Sequence, residues 1–322
     1  MALGEFDLIR SFFDRPGLRS SSTDVVGIGD DCALLSLQPG QQLAQSLDTL
    51  VEGIHFPKNC DPYLLGYRAL AVNLSDLAAM GAKPHSFMLA LTMPESNDTW
   101  LQSFSDGLAE LASIHQIGLI GGDTTQGPLT LSIQVQGTLS GAIALRRNGA
   151  QVGDLIYVSG CLGDAAGALP DILRGENPKS ARTLEQRHLL ERYYRPAPRI
   201  ALGQWLLENG ATAALDISDG LLGDLGHILK TSQVGAELNT SSVPVSKELE
   251  SLLGMEKATE LALTGGDDYE LCFTWPDRKK LLLPDSLLTD NPVTCIGRIT
   301  SASGLVDAET AQPLSPRAYQ HF

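Results

Sequence analysis

Residues 62–80, PYLLGYRALAVNLSDLAAM, set apolar side chains at helical spacing: Leu65, Ala69 and Val72 in one row, Leu70, Leu74 and Leu77 in another. A helix this apolar has to be buried, and that need constrains the fold more than any other stretch. Yet Asn73 and Asp76 interrupt the run, three residues apart and so on one face. Asp is a mediocre helix former, and an unpaired buried carboxylate is costly. Either that face is wet or it points into a metal site.

Around this helix, strand-like and helix-like patterns alternate along 322 residues, more than one core usually serves, so two domains are expected. Residues 42–48 read as a strand ending on Asp48, 87–93 and 129–139 as further strands, and 99–114 as an amphipathic helix. The Gly- and Arg-containing stretch SGAIALRRNGAQVGD marks the boundary, dividing the chain into 1–145 and 146–322. The second part reads as a strand at 155–160, helices at 162–174, 183–194 and 198–208, and a strand TAALDIS running into a helix DGLLGDLGHILK. Strands follow at 234–239, 269–275 and 293–300. Both parts are α/β or α+β.

The aspartates fall at the ends of these elements. GIGDD puts Asp30 and Asp31 in a Gly-flanked turn, LIGGDTT puts Asp123 after a strand and two glycines, LDISDG puts Asp216 and Asp219 where a strand becomes a helix, and TGGDDYE puts Asp267 and Asp268 before a strand. Each alone fits a turn or a helix N-cap. As a set they suggest one sheet edge, where α/β folds bind ligands. Carboxylates gathered there repel one another unless hard cations with oxygen ligands, such as Mg²⁺, neutralise them. Gly121–Gly122 is an ordinary turn or a close approach to a phosphate. Ser218 is a plain N-cap or a phosphate contact at a helix start. There is no G-x-x-x-x-G-K-[ST], so a nucleotide would need metals in place of the P-loop lysine.

Composition narrows the partners. The net charge of −15 disfavours nucleic acid and anionic membrane. Five cysteines without a C-x-x-C pair fit a reduced, cytoplasmic protein, and the N-terminus has no signal-peptide pattern. Basic candidates are few: Arg146 and Arg147 in the boundary segment, Arg195 and Arg199 around PAP, and Lys83, most of them expected in solvent. His55, shortly after Asp48, is a structural or surface residue more often than a catalytic one.

Taken together, GEFDLI, GIGDDCALL, LDTLVEGIHF, AVNLSDLAAMGAKP, LIGGDTT, LRRNGAQVGD, RPAPRI, DISDGLLGDLGHI, GGDDYELCFT, CIGRIT and AYQHF resemble the thiamine-monophosphate kinase family nearly end to end. Its wider superfamily includes aminoimidazole ribonucleotide synthetase. The resemblance implies a two-domain synthetase-like fold, an N-terminal sheet forming a homodimer interface, and ATP with several Mg²⁺ ions between the domains. It implies Asp30, Asp31, Ser46, Asp48, Asp76, Asp123, Asp216 and Asp219 as metal ligands, with Asp76, Asp216 and Asp219 central to catalysis. Gly122, Asp123, Arg147 and Ser218 would contact the nucleotide; His55, Asp267 and Tyr319 would contact thiamine monophosphate. This chain has Leu47 where the family often has Thr, and Asp267 where it usually has Glu, one methylene longer.

The acceptor would itself be a phosphate, anionic at neutral pH and in no need of a general base. Positioning and electrostatics then carry catalysis. The alternatives are another ATP-dependent member of the superfamily, a metal-dependent phosphohydrolase, which also wants clustered acids, and a non-catalytic divalent-ion binder, which would favour compact acidic loops absent from this sequence.

Overall fold

A computed structural model of the chain describes residues 4–29, 31–141, 143–289 and 292–315. It forms two compact units, one taking in the chain to Leu77 and Ala82–Ile143, the other Ala78–Gly81 and the chain from Ala144 onward.

The first unit opens with a short helix, α1 (Glu5–Leu8), and two short paired strands, β1 (Val25–Val26) and β2 (Leu34–Leu35). Its main sheet holds β3 (Gln41–Val51), β4 (Lys83–Met93), β5 (Gly118–Gln126) and β6 (Thr130–Ser140) in the order β3-β6-β4-β5. The β3–β6 and β4–β6 pairs are antiparallel and β4–β5 is parallel. Two long helices, α2 (Pro62–Ala79) and α3 (Asp98–His115), belong to this unit, with the boundary passing through the last turn of α2. The apolar run predicted as a helix is one, and from 64 to 79 every residue is buried except Asp76. Helix α3 begins at Asn97, whose side chain accepts the Trp100 N–H at 3.0 Å, and ends on Gln116 in the left-handed conformation.

These helices touch through glycine. A Cβ on Gly66 would come within 2.2 Å of the Phe104 carbonyl oxygen, and one on Gly107 within 2.0 Å of the Tyr63 carbonyl oxygen. Each glycine admits the other helix's backbone, so neither position tolerates a methyl group without a shift of the helices.

The second unit holds a mixed sheet of β7 (Leu155–Ser159), β8 (Ala213–Asp216), β9 (Gly235–Leu238), β10 (Leu271–Trp275), β11 (Val293–Thr300) and β12 (Gly304–Asp307) in the order β12-β9-β11-β7-β10-β8. All neighbours are antiparallel except β12 and β9. Its helices are α4 (Asp164–Leu173), α5 (Leu184–Tyr194), α6 (Ile200–Asn209), α7 (Leu221–Ser232), α8 (Lys247–Leu253), α9 (Met255–Thr264) and α10 (Asp285–Leu288). Ile156, Val158, Leu215, Leu225, Ile228 and Ile296 are among the apolar side chains of its core. The helix predicted to start at Asp219 starts at Leu221, and the strand predicted to end at Asp48 runs on to Val51. Among the described residues no helix is long and apolar enough to cross a membrane.

Replacing Gly107 by Ala should destabilise the first unit by about 1–3 kcal/mol, the usual cost of overpacking. Urea unfolding of the variant against the parent protein measures it, and a loss confined to a few tenths would mean the helices separate freely.

Candidate active site

Strand β3 and helix α2 bring together four of the polar residues singled out in the sequence. Along β3, Ser46 and Asp48 share one face, half-buried, while Leu43, Gln45, Leu47 and Thr49 on the other face are exposed. Ser46 Oγ donates to Asp76 Oδ2 at 2.5 Å, and the Asp48 N–H donates to Asn73 Oδ1 at 3.0 Å. Because β3 is an edge strand, its outward N–H groups need partners, and Asn73 supplies one. Asn73, 1% exposed, also donates to the Ala69 carbonyl at 2.9 Å. It is therefore a structural link between helix and strand, and Asp76 is the point where the buried helix opens.

Asp123 lies inside β5 rather than after it, opposite Ala90. A register shift between Phe87 and Met88 just precedes the two glycines and re-aims the strand. Gly122 has φ +150°, and a Cβ there would stand 1.8 Å from the Leu89 carbonyl oxygen. The strand pairing itself thus demands glycine, whatever Gly122 offers a phosphate. Asp123 Oδ1 accepts the N–H of Thr124 at 2.9 Å. His55 Nδ1 accepts the Val51 N–H at 3.0 Å, which leaves Nε2 to carry the proton of the neutral ring. Asp31 is exposed in the bend before β2. Asp30 and Tyr319 lie outside the described residues.

In the second unit two predicted stretches are laced together. Asp216 ends β8 opposite Leu271. Beyond it the Ile217 N–H donates to the Glu270 carbonyl, the Tyr269 N–H to the Ile217 carbonyl, and the Asp267 N–H to the Ser218 carbonyl, each at 2.8 Å. Ser218 is not the N-cap of α7; that position is Gly220, which makes no side-chain cap. The capping is done from inside the helix. One oxygen of Asp224 accepts the N–H groups of Ser218, Asp219 and Gly220 at 3.1, 3.0 and 3.1 Å. Burial pushes the Asp224 carboxyl up to about 6 despite those bonds. Sequence reasoning passed over Asp224, although it shows the same signal as Asp76: a carboxylate inside an apolar helical run.

The expectation of mostly solvated arginines fails at Arg199. Its guanidinium grips Glu270, with Nε to Oε2 and Nη2 to Oε1 both at 2.6 Å. Arg192 Nη2 adds a bond to Oε1 at 2.8 Å, and Ser159 Oγ one to Oε2 at 2.6 Å. Burial alone pushes Glu270 up, but the charges and hydrogen bonds of Arg199, with Arg192 and Ser159, outweigh it and hold the carboxyl below its usual value. Asp268 goes the other way: burial drives it well above the carboxylate range, with the Gly163 N–H and Arg192 only partly opposing. On the far side of Arg192, the buried Asp164 accepts from Ser246 Oγ at 2.5 Å and meets His188 Nε2 at 3.0 Å.

Arg146, Arg147 and Asn148, with Met80 and Thr231, line an open hollow of about 630 Å³. Both guanidinium groups are exposed, and the Arg147 carbonyl is held by Thr231 Oγ1 at 2.9 Å and Ser232 Oγ at 3.0 Å. Among the described residues, no three His, Cys, Asp or Glu side chains are grouped closely enough to hold a metal ion. The acids are instead tied to hydroxyl and N–H groups: Asp76 to Ser46, Asp123 to Thr124, Asp267 to Tyr269.

Two family models match, AIR synthase related protein, N-terminal domain, over residues 29–142 and the corresponding C-terminal domain over 151–305. The thiamine-monophosphate kinase of Escherichia coli K12 is 46% identical over 327 aligned residues, covering 100% of this chain and 99% of that protein. The chain belongs to the thiamine-monophosphate kinase family. The family's crystal structure from Stenotrophomonas maltophilia K279a matches with a TM-score of 0.85 at 46% identity, over 97% of this chain and 99% of that one. AaThiL complexed with AMPPCP and TMP matches with a TM-score of 0.79 at 27% identity, over 100% and 99%. Membership of the family makes the superfamily and phosphohydrolase alternatives unnecessary.

His188 is raised above its ordinary value, first by its hydrogen bond to Asp164 and against desolvation. A raised histidine stabilises fully below about pH 6.5, its unfolded value, and loses that contribution as pH climbs through the folded value. His188→Asn should therefore lower Tm more at about pH 5.5 than at about pH 9. Thermal unfolding at both pH values tests it, and an equal loss at the two would exclude the charged pair.

Proposed function

We infer that this chain transfers the terminal phosphoryl group of ATP to thiamine monophosphate, directly and in line, without a phosphoenzyme. The full-length likeness to a kinase carries the reading. The acceptor phosphate is already a nucleophile, so the protein's task is to bring two anions together and to stabilise charge on the transferring group.

Hard oxygen donors suit Mg²⁺, and the donor set here is entirely oxygen: Ser46 Oγ with the carboxylates of Asp31, Asp48, Asp76 and Asp123 in the first unit, and Asp216 and Asp219 in the second. Asp30 joins them by its place in the sequence. Mg²⁺ held by such groups would offset the negative charge of the phosphates. The residues' own part is to keep their oxygens in place before substrate arrives. Asn73 does this for the β3 backbone, Ser46 for Asp76, and Asp224 for the turn bearing Ser218 and Asp219. Gly122, Asp123, Arg147 and Ser218 serve the nucleotide in this reading; the exposed Arg147 guanidinium at the edge of the hollow suits a phosphate. His55, Asp267 and Tyr319 serve thiamine monophosphate.

The first unit would also pair with a second copy through its sheet, where β3 leaves Leu47 61% exposed. The cytoplasm, which supplies ATP and keeps thiols reduced, suits five free cysteines.

ADP release measured with and without thiamine monophosphate tests the activity: release should depend on the acceptor, and equal release in its absence would indicate a hydrolase. Asp76→Asn should lower turnover by on the order of 10²-fold or more while leaving thermal unfolding nearly unchanged. Near-normal turnover would remove Asp76 from the metal set.

A further inference from the structure

Residues 267–270 run into β10 with alternate side chains sunk and raised. Asp268 and Glu270 are 1% and 0% exposed. Asp268 Oδ2 accepts the Gly163 N–H at 2.8 Å, and Glu270 is gripped by Arg199, Arg192 and Ser159 as described. Asp267 and Tyr269, between and beside them, are only half-buried. Both have left-handed backbone, φ +71° at Asp267 and +51° at Tyr269.

For a bulky residue such as tyrosine that conformation is an outlier, and it persists only where the surroundings over-determine it. Here they do. The anchored side chains of Asp268 and Glu270 hold the segment from below, and the Asp267 and Tyr269 N–H groups are held by Ser218 and Ile217. The outcome is local: the Tyr269 hydroxyl meets Asp267 Oδ1 at 3.2 Å. An extended backbone would put side chains two apart on the same face but spread; the paired left-handed turns bring this phenol back onto the carboxylate.

We propose that Tyr269 is a positioning residue whose hydroxyl aims the Asp267 carboxylate at the cationic ring of the acceptor substrate. The proposal rests on the reading of Asp267 as a substrate contact. A carboxylate repels the acceptor's phosphate and attracts its positively charged thiazolium, so charge decides which end Asp267 meets. An aspartate reaches one methylene less than the glutamate usual in the family, so its direction matters more. The hydrogen bond from the Tyr269 hydroxyl restrains that direction.

The test is steady-state kinetics on Asp267→Asn, Tyr269→Phe and the double variant, varying each substrate separately. Tyr269→Phe should raise KM for thiamine monophosphate about tenfold, with kcat and the KM for ATP within about twofold of the parent. Asp267→Asn should raise the same KM at least as much, and the double variant should be no worse than Asp267→Asn alone, because the hydroxyl acts through the carboxylate. If Asp267→Asn leaves that KM unchanged, the substrate role of Asp267 fails and the proposal with it. If Asp267→Asn raises it but Tyr269→Phe does not, or if the two effects multiply, only the positioning role of Tyr269 is overturned. A Tyr269→Phe protein with lowered Tm and equal changes for both substrates marks a structural role and also overturns it.

Discussion

The acidic edge of the second unit depends on one buried ion cluster. Glu270 is fully enclosed, yet it keeps its charge because Arg199 grips it with two donors and Arg192 and Ser159 fill the remaining lone pairs. Such a cluster is a weak source of net stability, since both charges lose their hydration, but removing one partner strands the other at a cost of about 3–5 kcal/mol. What it contributes is definition. The chain entering β10 can take only one path, and the backbone of residues 217 and 218 pairs along that path. The Asp216–Asp219 turn is held from two sides, by backbone bonds to the segment that Glu270 anchors and by the buried Asp224 carboxylate.

The first unit solves the same problem with neutral groups. Asn73 spans helix and strand, bonding the Asp48 N–H on one side and the Ala69 carbonyl on the other. Ser46 and Asp76 face each other across the same gap. In both units the backbone that carries an acidic side chain is held by a buried polar side chain, Asn73 at Asp48 and Asp224 at Asp219. A transfer between two anions rewards polar groups fixed beforehand, because preorganised charge stabilisation needs no rearrangement at the moment of reaction.

Much of this was legible in the sequence, and the part that was not has a common cause. The apolar run at 62–80 announced α2 because its pattern extends over several turns, and 293–300 was legible as β11 although a register shift between Cys295 and Gly297 breaks its alternation. Helices α8 and α9 went unread: Gly254, at φ +78°, cuts 247–264 into two pieces too short for periodicity to speak. Strand β12 has four residues and takes its identity from pairing with the distant β9. At the site, the motifs pointed to side chains that could bind a ligand. They did not point to those that hold the binders. Arg199 and Glu270 act through partners far along the chain, and separation in sequence conceals such pairings, whereas Asp224 caps its own helix from four to six residues away. Arg199 looked like a surface residue because nothing near it in the chain carries the charge that buries it.

The glycine contacts between α2 and α3 bear on Asn73 and Asp76, although they lie well away from them. Gly66 and Gly107 each receive a backbone carbonyl of the other helix, which sets α2 at one notch along its axis. Sliding by a single residue would rotate the helix surface by about 100°. Asp76 would then turn from Ser46 into apolar packing, and Asn73 would lose the strand. Two missing methyl groups thus act as a detent, indexing a row of polar side chains against β3 by shape alone.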